Sequence, residues 1–423
     1  MSPYRYLVAL VDGGGTVPPE LGAVRRLVDR GHKVTVLTEA STLDEVLATG
    51  ATPMAWTTAP NRRDRSAGND PWRDWEIKSV PKLFDRLVET QLVGPAPRYC
   101  ADVTAAIADA KPDSVLCSQF AFGAMVAAEA ARLPFAVPMP NIYMLPAKNL
   151  PPMGIGFRPA RNAIERLRDR VVGGFARRLW DKKGLPGLNA LRSSVGLAPV
   201  LHFWDQVHRA DEELIMTSAA FDFPALLPET ARYVGPVLDD PSWADPWVPP
   251  AGDGPLVLVA LSSTFQDQVD CLQRIADGLG QLPVRAVMTT GPAIDSSVLR
   301  APSNVSVLAS APHSQVLQHA AATVTHGGHG TVVKSLAADV PMLVMHHGRD
   351  QADNAARVTA RGAGIALKRT GTPDAIAKAV KRLIDDPSYK IQATKLGEAL
   401  RRDAESGALV EALEQLPARR LVP

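Results

Sequence analysis

The residues best equipped for chemistry lie between 326 and 351. The run His326-Gly327-Gly328-His329-Gly330-Thr331 follows an apolar stretch of strand length and precedes a helix-forming one. Glycine lets the backbone approach a bulky charged group. A helix that starts straight after the turn aims unpaired N–H groups and its positive dipole end at the same point. Such a turn suits a phosphate, and it also serves as a tight strand-to-helix connection with nothing bound. Further on, Asp350-Gln351 sets a carboxylate beside an amide, paired polar groups of a kind that reject a ligand lacking the partner. Asp350 would equally cap a helix over 351–357. The pairs His326/His329 and His346/His347 have no carboxylate at metal-ligand spacing, so no metal is expected.

These groups need a scaffold, and the flanking pattern supplies one. A strand over 320–325, a helix over 332–338 and a buried strand over 341–345 carry the turn and deliver the polar loop that ends in Asp350-Gln351. Upstream, a strand over 6–11 runs into Asp12 and three glycines. A helix over 20–29 follows, with Leu21, Val24, Leu27 and Val28 on one face and Gly31 at its end, then a strand over 33–38. Helices over 99–110 and 121–132 alternate with strands over 114–117 and 134–138. The alternation restarts after 254, with strands over 256–261, 285–289 and 305–308 and helices over 269–278 and 373–385.

Alternating strands and helices give parallel sheets with right-handed crossovers. The expected fold is therefore α/β, two doubly wound domains facing across a cleft. The expected division is 1–234, a linker over 235–254 rich in proline and glycine, 255–400, and a charged tail over 401–423. Two irregular inserts are placed to set substrate choice. One is 57–76, with Arg62, Arg63, Arg65, Trp72 and Trp75; the other is 141–187, whose basic helix over 161–180 reads first as a solvated face.

At 423 residues the chain exceeds one hydrophobic core. Its 46 basic and 44 acidic residues leave a net charge of +2, too little for a nucleic-acid partner. Cys100, Cys117 and Cys271 are too scattered for a disulfide framework and fit a reducing cytoplasm. No apolar run reaches the roughly 20 residues of a membrane span, so stable membrane insertion is not expected, and residues 1–10 lack a secretion signal.

The strings Ser310-Ala311-Pro312-His313-Ser314-Gln315-Val316-Leu317, Thr325 through Thr331, Val340-Pro341-Met342 and Asp350-Gln351, in that order, resemble the donor signature of the family-one glycosyltransferases. This is the UDP-glycosyltransferase group, which includes the macrolide enzymes, and the resemblance spans essentially the full chain. It implies the GT-B fold of two Rossmann-like domains. It also implies an N-terminal acceptor-binding half and a C-terminal half that takes a nucleoside diphosphate sugar as co-substrate, with no further cofactor. A final helix would pack back on the N-terminal domain. Carried over residue by residue, the resemblance places Ser263 near the pyrophosphate and Pro312 and His313 at the base. It places His326, Gly328, Gly330 and Thr331 on the diphosphate, and Asp350 and Gln351 on the sugar.

The chain departs from that pattern where the proton is taken. Inverting members place a histidine in a Gly-His-x-x-Pro segment and an aspartate after a later strand. The matching positions here are Thr16, in Gly15-Thr16-Val17-Pro18-Pro19, and Ser118. Threonine is a poor base. Asp12 is the expected replacement, with Thr16 orienting the acceptor oxygen, although Asp12 would equally cap its glycine turn. Ser118, His346 and His347 remain as acceptor contacts or alternative bases. On the donor side, Lys334 stands where many members hold the ribose with a glutamate, and Ser310 where they stack a tryptophan. The expected function is inverting transfer of a hexose from a UDP- or dTDP-linked sugar to a hydroxyl of an apolar small molecule, phenolic or lipid. A nucleotide-sugar epimerase of the same fold and a non-catalytic helper protein are the alternatives.

Overall fold

The computed structural model describes residues 3–418; residues 1–2 and 419–423, the outer ends of the first and last expected segments, lie outside it. In strand β1 (Arg5–Ala9) successive side chains point to opposite faces. Both faces are apolar: Leu7, Ala9 and then Val11 enter one core, and Tyr6, Val8 and Leu10 enter another. A strand of this kind belongs inside a parallel sheet covered on both sides. The sheet around it consists of β2 (Lys33–Thr38), β3 (Thr52–Ala55), β4 (Ser114–Cys117), β5 (Phe135–Met139), β6 (Glu212–Ile215) and β7 (Ala231–Tyr233). Its order is β3-β2-β1-β4-β5-β6-β7 and every pairing among the described residues is parallel.

The second sheet repeats the plan. It holds β8 (Leu256–Ala260), β9 (Arg285–Thr289), β10 (Val305–Leu308), β11 (Ala320–Thr325), β12 (Met342–Val344) and β13 (Gly364–Ala366), in the order β10-β9-β8-β11-β12-β13. Again alternate residues of the central strand feed two cores, Val257 and Val259 one, Leu256, Leu258 and Ala260 the other. The order reverses between β1 and β4 and between β8 and β11, and each reversal opens a crevice at the carboxyl ends of the strands.

Strands β2, β4, β9, β10 and β11 and the helix Pro373–Asp385 occupy their expected residues. Two helices begin three residues earlier than the sequence suggested. Val17–Asp29 takes Pro18 and Pro19 into its first turn, where a missing N–H costs nothing. His329–Ala337 starts directly after Gly328 and so absorbs part of the glycine turn. Strand β6 was not expected, because it is half carboxylate. Its Glu213 is buried and satisfied by Tyr143, Thr230 and His208. The basic helix runs further than expected, Ala163–Ser194, with Asn162 capping it. Its outward side leaves Ile164, Leu167, Val171 and Phe175 exposed.

Two chain crossings join the halves. The linker leaves the first sheet at Gly235, whose φ of +79° suits glycine and where any side chain would run into the Asp403 carbonyl. Helix Pro387–Glu405 packs on His329–Ala337, and helix Ala408–Gln415 then returns to the first domain. There Leu409, Leu413 and Leu416 join the core under β1, and the Tyr6 hydroxyl donates to the Leu413 carbonyl at 3.0 Å. Among the described residues no helix is long and apolar enough to cross a membrane.

Candidate active site

Pairing of Thr325 with Ala260 sets the glycine turn beside the loop that follows β8. Gly327 has φ +92°, and a Cβ there would fall 2.8 Å from Val344 and 3.0 Å from the Gln351 carbonyl, so the turn tolerates only glycine. The helix His329–Ala337 starts at this point. Gly330 has open space beside it and Thr331 is half-buried, so the helix start faces the crevice. Ser263, also half-buried, stands across from it in the β8 loop. Burial pushes the His326 imidazole down to about 3, with His347 and Arg349 adding to the effect. Burial likewise holds His313, His329 and His347 at about 4. The rings around this crevice are therefore neutral at ordinary pH and offer hydrogen bonds without charge.

Where the resemblance implied the base, Pro312 is buried and His313 Nε2 lies 3.3 Å from the Thr289 hydroxyl. Lys334 brings its own counter-ion: its ammonium sits 2.9 Å from Asp240 of the linker, whose other oxygen accepts from the Ser314 N–H at 3.1 Å. A carboxylate thus stands beside the position where the glutamate is missing. Ser310 donates to Asp245, another linker residue, at 2.5 Å.

Asp350 precedes helix Gln351–Ala360 at the cap position but makes no capping bond with its side chain. Its Oδ2 accepts from Asn354 at 2.8 Å, and burial pushes its carboxyl up to about 6. Gln351 departs from the expectation that its amide meets sugar hydroxyls. Oε1 accepts the N–H groups of His347 and Gly348 at 2.7 and 3.1 Å, and Nε2 donates to Gln266 at 2.8 Å. With both ends of the amide bonded to protein and the residue buried, Gln351 ties the β12 loop to the β8 loop.

The first crevice is built from charge. Asp12 is buried, its Oδ1 accepting the Gly14 N–H at 2.8 Å and its Oδ2 accepting Arg65 Nε at 2.7 Å. Arg62 bonds Glu39 and the Asp12 carbonyl, and Arg65 reaches Glu45 at 2.7 Å. Burial opposes the charge on Asp12, but Arg65 and Arg62 outweigh it and hold the carboxyl below the usual carboxylate range. The role expected of Asp12 as base is thus physically disfavoured, because both oxygens are engaged and the group holds its proton weakly. It serves as the glycine-turn cap and as the anchor of the arginines of the first insert.

Thr16 ends the glycine turn with its hydroxyl buried and unpartnered. Ser118, at the end of β4, donates to Glu20 Oε1 at 3.0 Å. His346 is exposed, and His347 bonds its own loop through the Met345 carbonyl at 2.9 Å. The structure therefore brings Thr16 and Ser118 together at the first switch point, while His346 and His347 belong to the donor loop across from it.

Glu20 escaped the reading of the sequence. It is 2% exposed, and its Oε2 has no partner. Burial, relieved only in part by Ser118, pushes its carboxyl up to about 8, and Asp12 adds to the rise. A signal was there: Glu20, Val24 and Leu27 share one helix face, so a carboxylate sits in an apolar stripe.

Both inserts cross the cleft. Arg349, next to Asp350, forms a two-point ion pair with Asp74 at 2.9 and 3.1 Å, lies over the Trp72 ring and donates to Thr264. Asp353 accepts the N–H groups of Gly154 and Gly156 from the second insert. Deeper in, Arg357 pairs with the fully buried Asp222 at 2.7 Å. Between the halves remains a cavity walled by Gly13, Trp72, Tyr99 and Phe120 from one side and Thr264 and Arg349 from the other. Among the described residues, no three His, Cys, Asp or Glu side chains are grouped to hold a metal ion.

Comparison with known proteins gives the same picture from a different direction. Residues 273–416 match the family described as Erythromycin biosynthesis protein CIII-like, C-terminal domain. The chain is 29% identical to 4'-demethylrebeccamycin synthase of Lentzea aerocolonigenes, over 97% of this chain and 99% of that protein. It superposes on the calicheamicin glycosyltransferase with a TM-score of 0.77 at 25% identity, covering 100% of both chains. Glycosyltransferase VinC, solved in complex with dTDP, shares the fold with a TM-score of 0.72 at 19% identity, covering 98% of this chain and 100% of that one.

Proposed function

We propose that this chain, which has the GT-B fold, is a macrolide-type, family-one glycosyltransferase that moves a hexose from a nucleoside diphosphate sugar, UDP- or dTDP-linked, to a hydroxyl of an apolar small molecule. The observation that carries the proposal is the open helix start at Gly328, Gly330 and Thr331, set beside a β8 loop whose Ser263 and Thr264 lie against Gly14 of the first crevice. The dTDP bound in the VinC structure supports a nucleoside diphosphate as the leaving half of the donor.

In this reading the N–H groups of the helix start, with Thr331, Ser263 and the neutral His326, hold the diphosphate. Preorganised donors of this kind stabilise charge that grows on a leaving group. Asp350 receives sugar hydroxyls, and Gln351 keeps the two donor loops in register rather than touching sugar. Pro312 and His313 flank the base, and Asp240 is placed toward the ribose in the role of the absent glutamate. The acceptor enters the cavity over Gly13, against Trp72, Tyr99 and Phe120. Its oxygen, directed by Thr16, attacks the anomeric carbon from the face opposite the diphosphate, which inverts the configuration.

A phenol, with a pKa of about 10 as in tyrosine, gives up its proton far more readily than an alcohol, so phenolic acceptors should outrun simple alcohols. The test is mass spectrometry of products from UDP- and dTDP-sugars crossed with phenolic, steroid and macrolide acceptors, with the anomeric configuration read by NMR. A new glycoside of inverted configuration supports the reading. An isomerised sugar nucleotide formed without acceptor would point to an epimerase, and binding with no turnover on any acceptor to a helper protein.

A further inference from the structure

Among the buried carboxylates of the described residues, Glu20 is the one with an oxygen left without a partner. It stands in the first turn of helix Val17–Asp29, over the switch point between β1 and β4. Oε1 takes the Ser118 hydroxyl at 3.0 Å, and Oε2 is buried with no partner. The Thr16 hydroxyl is also buried with no partner. Residues four apart lie on one helix face, yet the two atoms do not bond each other. Buried polar atoms are almost always satisfied, so two orphans one helical turn apart are suited to share a bridging water.

Thr16 in turn backs onto the cavity. A side chain at Gly13 would begin 2.8 Å from Thr16 Oγ1 and 3.1 Å from Phe120, and both Gly13 and Phe120 line the cavity. The cavity wall over the hydroxyl is one glycine thick.

We propose that Glu20 is the terminal proton acceptor of the transfer, reached through the Thr16 hydroxyl. The proposal rests on the glycosyl-transfer reading above and adds the route of the proton. As the acceptor oxygen bonds to the anomeric carbon, the carbon–oxygen bond to the diphosphate breaks and its electron pair leaves with the diphosphate. The acceptor's proton passes to Thr16 Oγ1, and the proton already on that oxygen passes to a water bridging the two side chains, which gives one of its own to Glu20 Oε2. Thr16 ends as it began, Glu20 ends as a neutral acid, and the proton later returns to solvent. Threonine's weakness as a base does not obstruct this, because it gains and loses a proton together. Ser118 fixes the carboxylate from below and makes it less basic.

The groups facing Glu20 are Asp12 from the loop after β1, Ser118 and Cys117 at the end of β4, and Thr16 on its own helix. Burial and Asp12 keep its carboxyl protonated below a pH of about 8. The base form therefore grows as pH rises through that value, and turnover should rise with it.

The experiment compares parent, Glu20→Gln and Ser118→Ala across pH 6 to 10, on a phenol and an alcohol of similar size, with dTDP and UDP titrated alongside. Glu20→Gln keeps the shape and a bond to Ser118. It should lower kcat on the alcohol by about 10²-fold at high pH and abolish the rise with pH, with diphosphate affinity unchanged. A group raised in the folded state destabilises it as pH climbs toward the folded value. The same variant should therefore melt higher than the parent at pH 9, with little difference at pH 5. Ser118→Ala should move the rise to higher pH. Glu20→Gln activity within twofold of the parent with the same pH profile overturns the proposal, as does an unmoved profile in Ser118→Ala. A parent that binds neither dTDP nor UDP sinks the glycosyl-transfer reading instead.

Discussion

His326, just past β11, and Asp12, just past β1, each stand beside the switch point of their own sheet, yet they are opposites. His326 is a buried ring stripped of charge, and Asp12 a buried carboxylate kept charged by two arginines. Their surroundings follow suit. The crevice proposed for the donor presents a glycine turn, a helix start and neutral histidines. The first crevice buries Asp12, Glu39 and Glu45 against Arg62 and Arg65, with Glu20 buried near Asp12 and bonded to Ser118. An anion that arrives already charged is best met by fixed dipoles, which need no counter-charge and do not titrate. A proton that must leave during the reaction needs a group whose charge can change. The contrast predicts diphosphate affinity insensitive to pH above the ligand's own ionisation, and turnover that is sensitive to it.

The harshest way to break the donor side is Gly327→Ala. Holding alanine at φ +92° costs about 1–3 kcal/mol, and the added methyl strikes Val344. The expected result is dTDP affinity lower by about two orders of magnitude in calorimetric titration, and unchanged affinity would separate the turn from the diphosphate. His326→Ala and Thr331→Ala come next. A hydrogen bond to a charged group is worth about 1.5–3 kcal/mol, so each should weaken dTDP roughly 10- to 100-fold, equally at pH 7 and pH 9. A loss confined to the lower pH would mean a charged imidazole and would erase the contrast.

Asp12→Asn tests the acceptor side more gently. Removing the charge beside Glu20 should lower the pH at which turnover rises, by no more than about one unit, a tenfold change in proton affinity. Asp12 also has a stability signature of its own. Its folded pKa lies below the ordinary 3.8, so its contribution is present above that value and is lost as pH falls toward the folded one. Acid unfolding should therefore begin at higher pH in the variant. The smallest effect belongs to the contact between the two sides: Arg349→Ala removes a partly buried ion pair worth about 1 kcal/mol or less. It should raise the acceptor's KM a few-fold and leave dTDP affinity alone.

The donor side was also the more legible of the two. Ala320–Thr325 could be placed from its small and β-branched residues, and the turn from its glycines, because local chemistry dictates both. Gln351 shows where that ends. Its type suits a sugar, but only the fold reveals that its amide is spent on Gln266 and the His347 and Gly348 N–H groups. Glu20 is the converse, a helix-start glutamate by local rule whose importance depends on β4 arriving from a hundred residues away. The arginines of the first insert were expected only as part of a segment that sets substrate choice, and their burial beside Asp12 and Glu45 is a tertiary fact that no window of sequence contains.

Asp403 is the point where the two chain crossings meet. Its carbonyl blocks Gly235 on the way out, and its carboxylate accepts the Ser218 hydroxyl at 2.5 Å near the way back. Two crossings that nearly coincide leave the halves one easy motion, a rotation about that corner, much as a door on a single hinge line can swing but not slide. Displacement then grows with distance from the corner. The contact of Arg349 with Trp72 and Asp74 borders the cavity, so a rotation at the hinge would bear directly on that wall.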